Sequence, residues 1–317
     1  MTPRTVRHLH TAIRDDIGDL MTHRPLPGPA LDYLDPFLRL HHYGPSGYKS
    51  DNQGLPFKPE PQRGFETLTL VIDGALEHRD GSERRSIGPG GVRWTSAGRG
   101  TVHVERTPEA FKQGGGRLEV LELRINLAAA HKQSESHQSG FQKDDIPEVG
   151  LDGGLGKIRV MAGRWEQSDA VIDGPITSPG GFFMSTLILE EGTFVYLPVP
   201  ADHEVLFYVL RGNTMLSGQA VRPCHLVEFE PRGEMLELRA SGDAMVVFGH
   251  APRLGEPMVS RGGYVMNTAE ELDQAEADER AGRIDGLNES DPFRGMDESQ
   301  NPAESESASK SKSPDRT

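Results

Sequence analysis

Residues 66–74 read ETLTLVIDG, and 138 positions later residues 204–212 read EVLFYVLRG. Glu66, Leu68, Val71 and Gly74 recur at the same spacing as Glu204, Leu206, Val209 and Gly212. Each stretch is short, rich in β-branched or aromatic residues and closed by a glycine, the pattern of a buried strand running into a turn. Agreement of residue type, spacing and context predicts an internal repeat, two β units built on one plan.

The flanking chain extends the pattern. RLEVLELRINL, FFMSTLILEEG, HLVEFEP, EMLELRA and AMVVFGH are further short apolar or alternating runs, and the 37 Gly and 23 Pro of the 317 residues suit turn-rich β structure. The expected fold class is all-β, with one β-barrel over residues 1–130 and a second over 157–287, joined by a polar, glycine-containing linker at 131–156. Within the second unit, NTAEELDQAEADERAGR predicts a short C-terminal helix, with Thr268 as N-cap, Glu271 completing a capping box and Gly282 just past the end. Residues 288–317 are rich in Ser and charge with almost nothing to bury, so they are expected to form a disordered tail.

Bulk properties exclude several function classes. A formal net charge of −14 argues against direct nucleic-acid binding, which draws on clustered Lys and Arg. No apolar run approaches a membrane span, the N-terminus has no apolar signal core, and the single cysteine, Cys224, suits a reducing compartment. The expectation is a cytoplasmic monomer without a membrane partner. Cys224, in RPCHLVEF, reads as an inert thiol at a strand entrance.

Two short stretches carry the chemistry. Glu60-Pro61-Gln62 precedes the first repeat strand, and His103-Val104-Glu105 follows it in the same unit. In extended chain an i, i+2 pair shares one face, so each stretch aims two donors to one side, and in a barrel the two pairs would converge on one interior point. Metal ligation is one outcome; the other is that Glu60 and Gln62 bond to Arg99, to Arg63 or to each other as polar filling. Shifted by the repeat, their positions fall on Pro198 and Pro200, which offer no donors, so only the first unit is expected to hold a site. His41 and His42 are adjacent and must face opposite ways in a strand; His78 and His203 read as surface and structural residues. No Gly-x-Ser-x-Gly elbow, Cys-x-x-Cys, His-Glu-x-x-His or Walker loop occurs.

GLPFKPEPQRGFETLTLVIDG has the layout of a first cupin motif, and the chain more closely resembles the pirin family. The resemblance rests on DPFLRLHHYGP at 35–45, RGFETLTLVIDGALEHRDG, GPGGVRWTSAGRGTVHVE and the C-terminal GEPMVSRGGYVMNTAEELDQAEADERAGR. It implies a bicupin, two cupin-type barrels, with one metal in the N-terminal barrel, commonly iron. Some pirins have quercetin 2,3-dioxygenase activity, and the animal pirin is a nuclear cofactor of transcription regulators. The family's ligands are two His in His-Pro-His-Arg-Gly and the pair in His-x-Glu. Here the second pair is kept as His103 and Glu105, whereas the first motif reads Glu60-Pro61-Gln62-Arg63-Gly64. The resulting set of Glu60, Gln62, His103 and Glu105 is oxygen-rich and anionic, which favours Mn, Mg or Ca over late transition metals if it binds any. Three functions follow as expectations: a quercetinase-like dioxygenase acting on a flavonol-type aromatic, with Glu105 as candidate base; a metal-sensing or metal-free module for a protein partner; and a non-catalytic ligand pocket.

Overall fold

A computed structural model of the chain describes residues 2–80, 83–167 and 170–284. The predicted tail at 288–317 lies outside the described residues. In chain order the strands of the two large sheets are β1 (Val6–Thr11), β2 (Ile13–Arg14), β3 (Thr22–Leu26), β4 (Phe37–Tyr48), β5 (Phe65–Asp73), β6 (Val92–Ser96), β7 (Gly116–Asn126), β8 (His137–Phe141), β9 (Glu148–Gly150), β10 (Lys157–Ala162), β11 (Phe183–Leu189), β12 (His203–Arg211), β13 (His225–Phe229) and β14 (Ala244–Pro252). One seven-stranded sheet runs β8-β6-β5-β7-β4-β3-β2, the other β1-β13-β12-β14-β11-β10-β9.

The predicted repeat is visible in these orders, because the repeat strands β5 and β12 occupy the same place in their sheets. The orders also show an exchange that the repeat does not disclose. The first strand of the chain, β1, pairs with β13 of the second half, Leu9 opposite Val227, while β8, which precedes the second half, pairs back to β6, Ser139 opposite Trp94. Each half thus receives its edge strand from the segment that leads into the other. The stretch expected as a linker therefore contains β8, β9 and a short 3-10 turn, Lys143–Asp145, and starts at the last residue of another, Ala129–His131.

The expected barrels are corrected by the same topology. Neither large sheet closes on itself: β8 and β2 are the edges of the first, β1 and β9 those of the second. The segments that closure would need pair among themselves instead, Glu60–Gln62 with Thr101–His103, and Phe194–Pro198 with Met235–Ala240. Pro59 and Pro61 in one half, and Pro198 and Pro200 in the other, have no N–H to donate, so a continuous ladder is interrupted where it would have to join the large sheet. The all-β expectation with a C-terminal helix, Ala269–Arg280 (α2), stands, and among the described residues one further helix, Glu109–Gly114 (α1), is added. As predicted, α2 is opened by the reciprocal Thr268/Glu271 capping box, and Gly282 takes a left-handed φ of 68° just beyond its end. Among the described residues no helix is long and apolar enough to cross a membrane.

Strand alternation decides what lies on each face. Leu40, Leu68, Trp94 and Leu123 of the first sheet and Met184, Leu206, Tyr208 and Val247 of the second belong to one buried cluster, so the large sheets pack face to face. On its far face the second sheet presents Val205, Phe207, Val209, Phe229, Val246 and Phe248, closed over by Val195, Leu197, Leu236 and Leu238. The first sheet differs at the matching face, where registered rows run His41-Glu122-Thr69-Arg93 and Arg39-Arg124-Thr67-Thr95. One half is filled with hydrocarbon and the other with charge.

The glutamates of the repeat are solved in two ways. Glu204 is paired with Arg253, Nε to Oε2 at 2.9 Å. Glu66 is fully buried and accepts only from neutral donors, Trp94 Nε1 at 3.1 Å and Ser178 Oγ at 2.6 Å, so burial pushes its carboxyl up to about 7. The folded state therefore favours the protonated acid: its contribution is complete below the unfolded range near 4.5 and is lost as pH rises through about 7. Urea denaturation of wild type and Glu66→Gln at about pH 5 and about pH 8 should show wild type losing about 2 to 3 kcal/mol more than the variant across that interval. Parallel pH profiles would show that Glu66 is ionised in the fold.

Candidate metal centre

The site is a two-stranded ribbon laid over the charged face of the first sheet. Glu60–Gln62 pairs antiparallel with Thr101–His103, placing His103 opposite Glu60 and Thr101 opposite Gln62. The ribbon is clamped from outside by the C-terminal hairpin Val259–Arg261/Tyr264–Met266, through Arg63 N to Gly263 O at 3.1 Å and Val265 N to Arg63 O at 3.0 Å. Contact is so close that a Cβ on Gly263 would lie 1.9 Å from Pro61 O. The Arg63 guanidinium reaches on to Asp278 of α2 at 2.9 Å. The buried Lys132 ammonium, brought down to about 8 by desolvation, ties the layers by donating to Gly64 O, Val265 O and Asn126 Oδ1 at 2.8, 2.9 and 2.6 Å.

His103 and Glu105 are buried, at 4% and 3% exposure, and point into this layer. Thr69 Oγ1 donates to Glu105 Oε1 at 2.9 Å, and Arg93 Nη1 stands 3.7 Å from the same oxygen. Burial opposes ionisation of Glu105, but Arg93 and His103 outweigh it and hold its carboxyl below the usual range. His103 Nε2 lies 3.1 Å from Glu105 Oε1. That contact is poorly aligned for a hydrogen bond, and His103 Nδ1 and Glu105 Oε2 have no hydrogen-bond partner. Buried polar atoms are nearly always paired, so these two leave room for a further partner such as a water or an ion.

A third group joins them. One donor atom each from His103, Glu105 and Glu122 lie within 4.8 Å of one another. Glu122 projects from β7 and is ion-paired with Arg39, with Arg124 Nε 3.7 Å away. Burial again raises the cost of its charge, and Arg39 and Arg124 reverse the balance, holding it well below the usual carboxylate range. His41, registered opposite Glu122, is brought down to about 3 by burial and then by Arg39, so it stays neutral, its Nδ1 3.0 Å from Tyr43 OH. The signal for Glu122 was present in LELRIN, where charges at alternate positions interrupt a central apolar strand.

Glu60 and Gln62 sit on the facing strand, but their donors are engaged. Gln62 Nε2 donates to Glu60 Oε2 at 2.9 Å, Arg124 Nη2 pairs with that same oxygen, and Thr67 Oγ1 approaches Gln62 Oε1 at 3.4 Å. Of the bonds expected for polar filling, the one between the two side chains forms; the cation is Arg124 rather than Arg63 or Arg99. Gln62 is fully buried, whereas the Glu60 side chain retains 37% exposure and is the member of the site that meets solvent. His41 and His42 face opposite ways, as expected. His203 pairs with His250, Nδ1 to Nδ1 at 2.8 Å, in the second half, and the His78 side chain lies outside the described residues.

The division of the chain into two related halves agrees with what comparison shows. The Pirin family model matches residues 19–124 and the model of the Pirin C-terminal cupin domain matches residues 183–285. The chain belongs to the pirin family. A pirin-like protein of Caulobacter vibrioides is 36% identical over 275 residues, covering 85% of this chain and 94% of the relative. A Pseudomonas aeruginosa relative named "Putative quercetin 2,3-dioxygenase" is 33% identical over 253 residues, covering 80% of this chain and 87% of its own. The crystal structure of a quercetin 2,3-dioxygenase from Acinetobacter baumannii superposes with a TM-score of 0.81 at 27% identity, covering 89% of this chain and 99% of the other. His103 and Glu105 thus keep unpartnered polar atoms, whereas Glu60 and Gln62 are bonded to each other and Glu60 to Arg124.

Because Arg39 and Arg124 share the countercharge of Glu122, Glu122→Gln in metal-free protein should cost about 3 kcal/mol by urea denaturation. A cost below about 1 kcal/mol would mean that another anion takes up Arg39.

Proposed function

We propose that this pirin binds one divalent metal at His103, Glu105 and Glu122 and acts as a dioxygenase of the quercetin 2,3-dioxygenase type on an aromatic enol such as a flavonol. The observation that carries the reading is the set of buried, unpartnered donor atoms on His103 and Glu105. One imidazole and two carboxylates make an oxygen-rich set, which favours Mn(II), Mg(II) or Ca(II) over late transition metals, with Fe(II) the metal that family resemblance supplies. A bound divalent metal would supply a Lewis-acidic contact for a substrate oxygen.

The protein's own groups favour an anionic substrate. Arg39, Arg93 and Arg124 are balanced by Glu122, Glu105 and Glu60 in direct pairs or near contacts, so a divalent cation leaves net positive charge in a buried site. An ionised enol oxygen would offset it. Glu105, held ionised by Arg93, is better suited to ligation than to taking a proton, because a carboxylate with a lowered pKa is a weak base. Glu60 is a weak base for the same reason: burial opposes its charge, but Arg124, Arg39 and the Gln62 amide hold its carboxyl below the usual range.

A second reading draws on the same charge balance. The cluster is neutral without an ion, and the Gln62-Glu60-Arg124 chain fills the exchanged ligand positions, which suits a non-catalytic module for a small ligand or a protein partner. Elemental analysis of protein purified without an affinity tag, with Mn(II) and Fe(II) titrations and flavonol-dependent O2 uptake, separates the two. The proposal expects about one metal per chain, a loss of at least about tenfold in affinity in His103→Ala, and O2 uptake that follows metal loading. Metal-free wild type that neither Mn(II) nor Fe(II) loads would overturn it in favour of the module. In the same titration Glu60→His/Gln62→His should shift preference toward Fe(II) or Ni(II), as two imidazoles replace a carboxylate and an amide.

A further inference from the structure

On the opposite face of the first sheet, at the seam with the second, lies a cluster that the reaction does not use. His23 on β3 is registered directly across from His42 on β4, their ring centroids 5.8 Å apart. Cys224, at the entrance to β13, comes to them from the other half, and one donor atom each from His23, His42 and Cys224 lie within 4.8 Å of one another. Cys224 is half-buried rather than sealed in the core, and it is not at a relaxed strand entrance. Its φ is 62°, a left-handed conformation uncommon for a residue with a Cβ, and the backbone is pinned on both sides, Cys224 N to Val209 O at 2.9 Å and Ala12 N to Cys224 O at 2.8 Å.

The surroundings define how His42 presents itself. Glu119 Oε1 stands 3.0 Å from His42 Nε2, and Glu119 is itself ion-paired with Arg211. A carboxylate can only accept here, so Nε2 carries the proton and Nδ1 keeps its lone pair, directed toward Tyr208 OH at 3.1 Å. A carboxylate behind an imidazole in this way is the usual outer support of a metal-bound histidine. His23 Nδ1 is buried without any hydrogen-bond partner. Cys224 Sγ completes the group, and a thiol gives up its proton when it binds a metal. Two neutral imidazoles and a thiolate are a borderline-to-soft donor set, unlike the oxygen-rich set on the other face.

We propose that His23, His42 and Cys224 form a second metal site, for a zinc-class divalent cation, that ties the β3–β4 pair of one half to the entrance of β13 in the other, with the Tyr208 hydroxyl beside it. Burial of the seam around it makes the site structural or regulatory, separate from the site of the proposed reaction.

Cobalt(II) reports the site directly. Full-length protein stripped with EDTA and reloaded with Co(II) should show a thiolate-to-cobalt charge-transfer band in the near ultraviolet and the intense visible bands of a four-coordinate ion. His103→Ala should keep these bands, so failure of the reading on the other face leaves this test intact. Cys224→Ser should lose the charge-transfer band, and His42→Ala should weaken Co(II) binding at least about tenfold. In unmodified protein Zn(II) should slow alkylation of Cys224 by iodoacetamide about tenfold or more, reversibly with EDTA. Absence of the band in wild type together with an alkylation rate that Zn(II) leaves unchanged would overturn the proposal and leave the cluster as a hydrogen-bonded seam.

Discussion

The packing of the two large sheets against each other is the constraint on which the rest of the molecule depends. It commits Leu40, Leu68, Trp94 and Leu123 to the seam, and strand alternation then leaves Arg39, His41, Thr67, Thr69, Arg93, Glu122 and Arg124 no direction but the other face. In the second half the same rule delivers Val205, Phe207, Val246 and Phe248 to the equivalent place. One plan thus yields an apolar core on one side and a charged chamber on the other, and only side-chain identity at alternate positions distinguishes them.

The charged chamber is expensive to build, and its construction explains why so many of its members are arginine and carboxylate together. A buried charge without a partner costs several kcal/mol, whereas paired charges with good geometry recover much of that cost. Arg39 with Glu122, Arg124 with Glu60 and Arg93 near Glu105 satisfy this condition. What the pairing does not satisfy includes His103 Nδ1, Glu105 Oε2 and the Nε atoms of Arg39, Arg93 and Arg124. The chamber is therefore compensated in charge but incomplete in hydrogen bonding.

Local rules made much of this legible in the sequence. The Glu66/Glu204 repeat located equivalent strands because buried strand and turn chemistry is written in adjacent residues, and the capping box at Thr268 located α2 for the same reason. The i, i+2 pair His103 and Glu105 was legible from spacing; Glu60 lies across the ribbon from His103, while Gln62 lies across from Thr101. Pairing partners far apart in the chain were not legible. Glu122 becomes a neighbour of His103 only through the register of β7, and Arg124 rather than Arg63 or Arg99 holds Glu60 for the same reason. Barrel closure was misjudged because short alternating strands look alike whether or not their edges meet, and His42 with Cys224 looked inert because each was weighed within its own strand.

The exchanged edge strands impose an order on synthesis. The first half acquires all of its large sheet once Phe141 has left the ribosome, since β8 is its last strand. Residues 6–11, made before any of it, have no place there: their partner strand ends at Phe229, so the earliest segment of the chain stays unpaired until most of the protein exists. Only then does the N-terminus close the edge of the second sheet, with the fully buried Arg4 guanidinium binding the carbonyls of Pro200, Ala201, His203 and Gly233. The partner of β1 is thus synthesised more than 200 residues after β1 itself, and until then that strand edge has no intramolecular pairing to make.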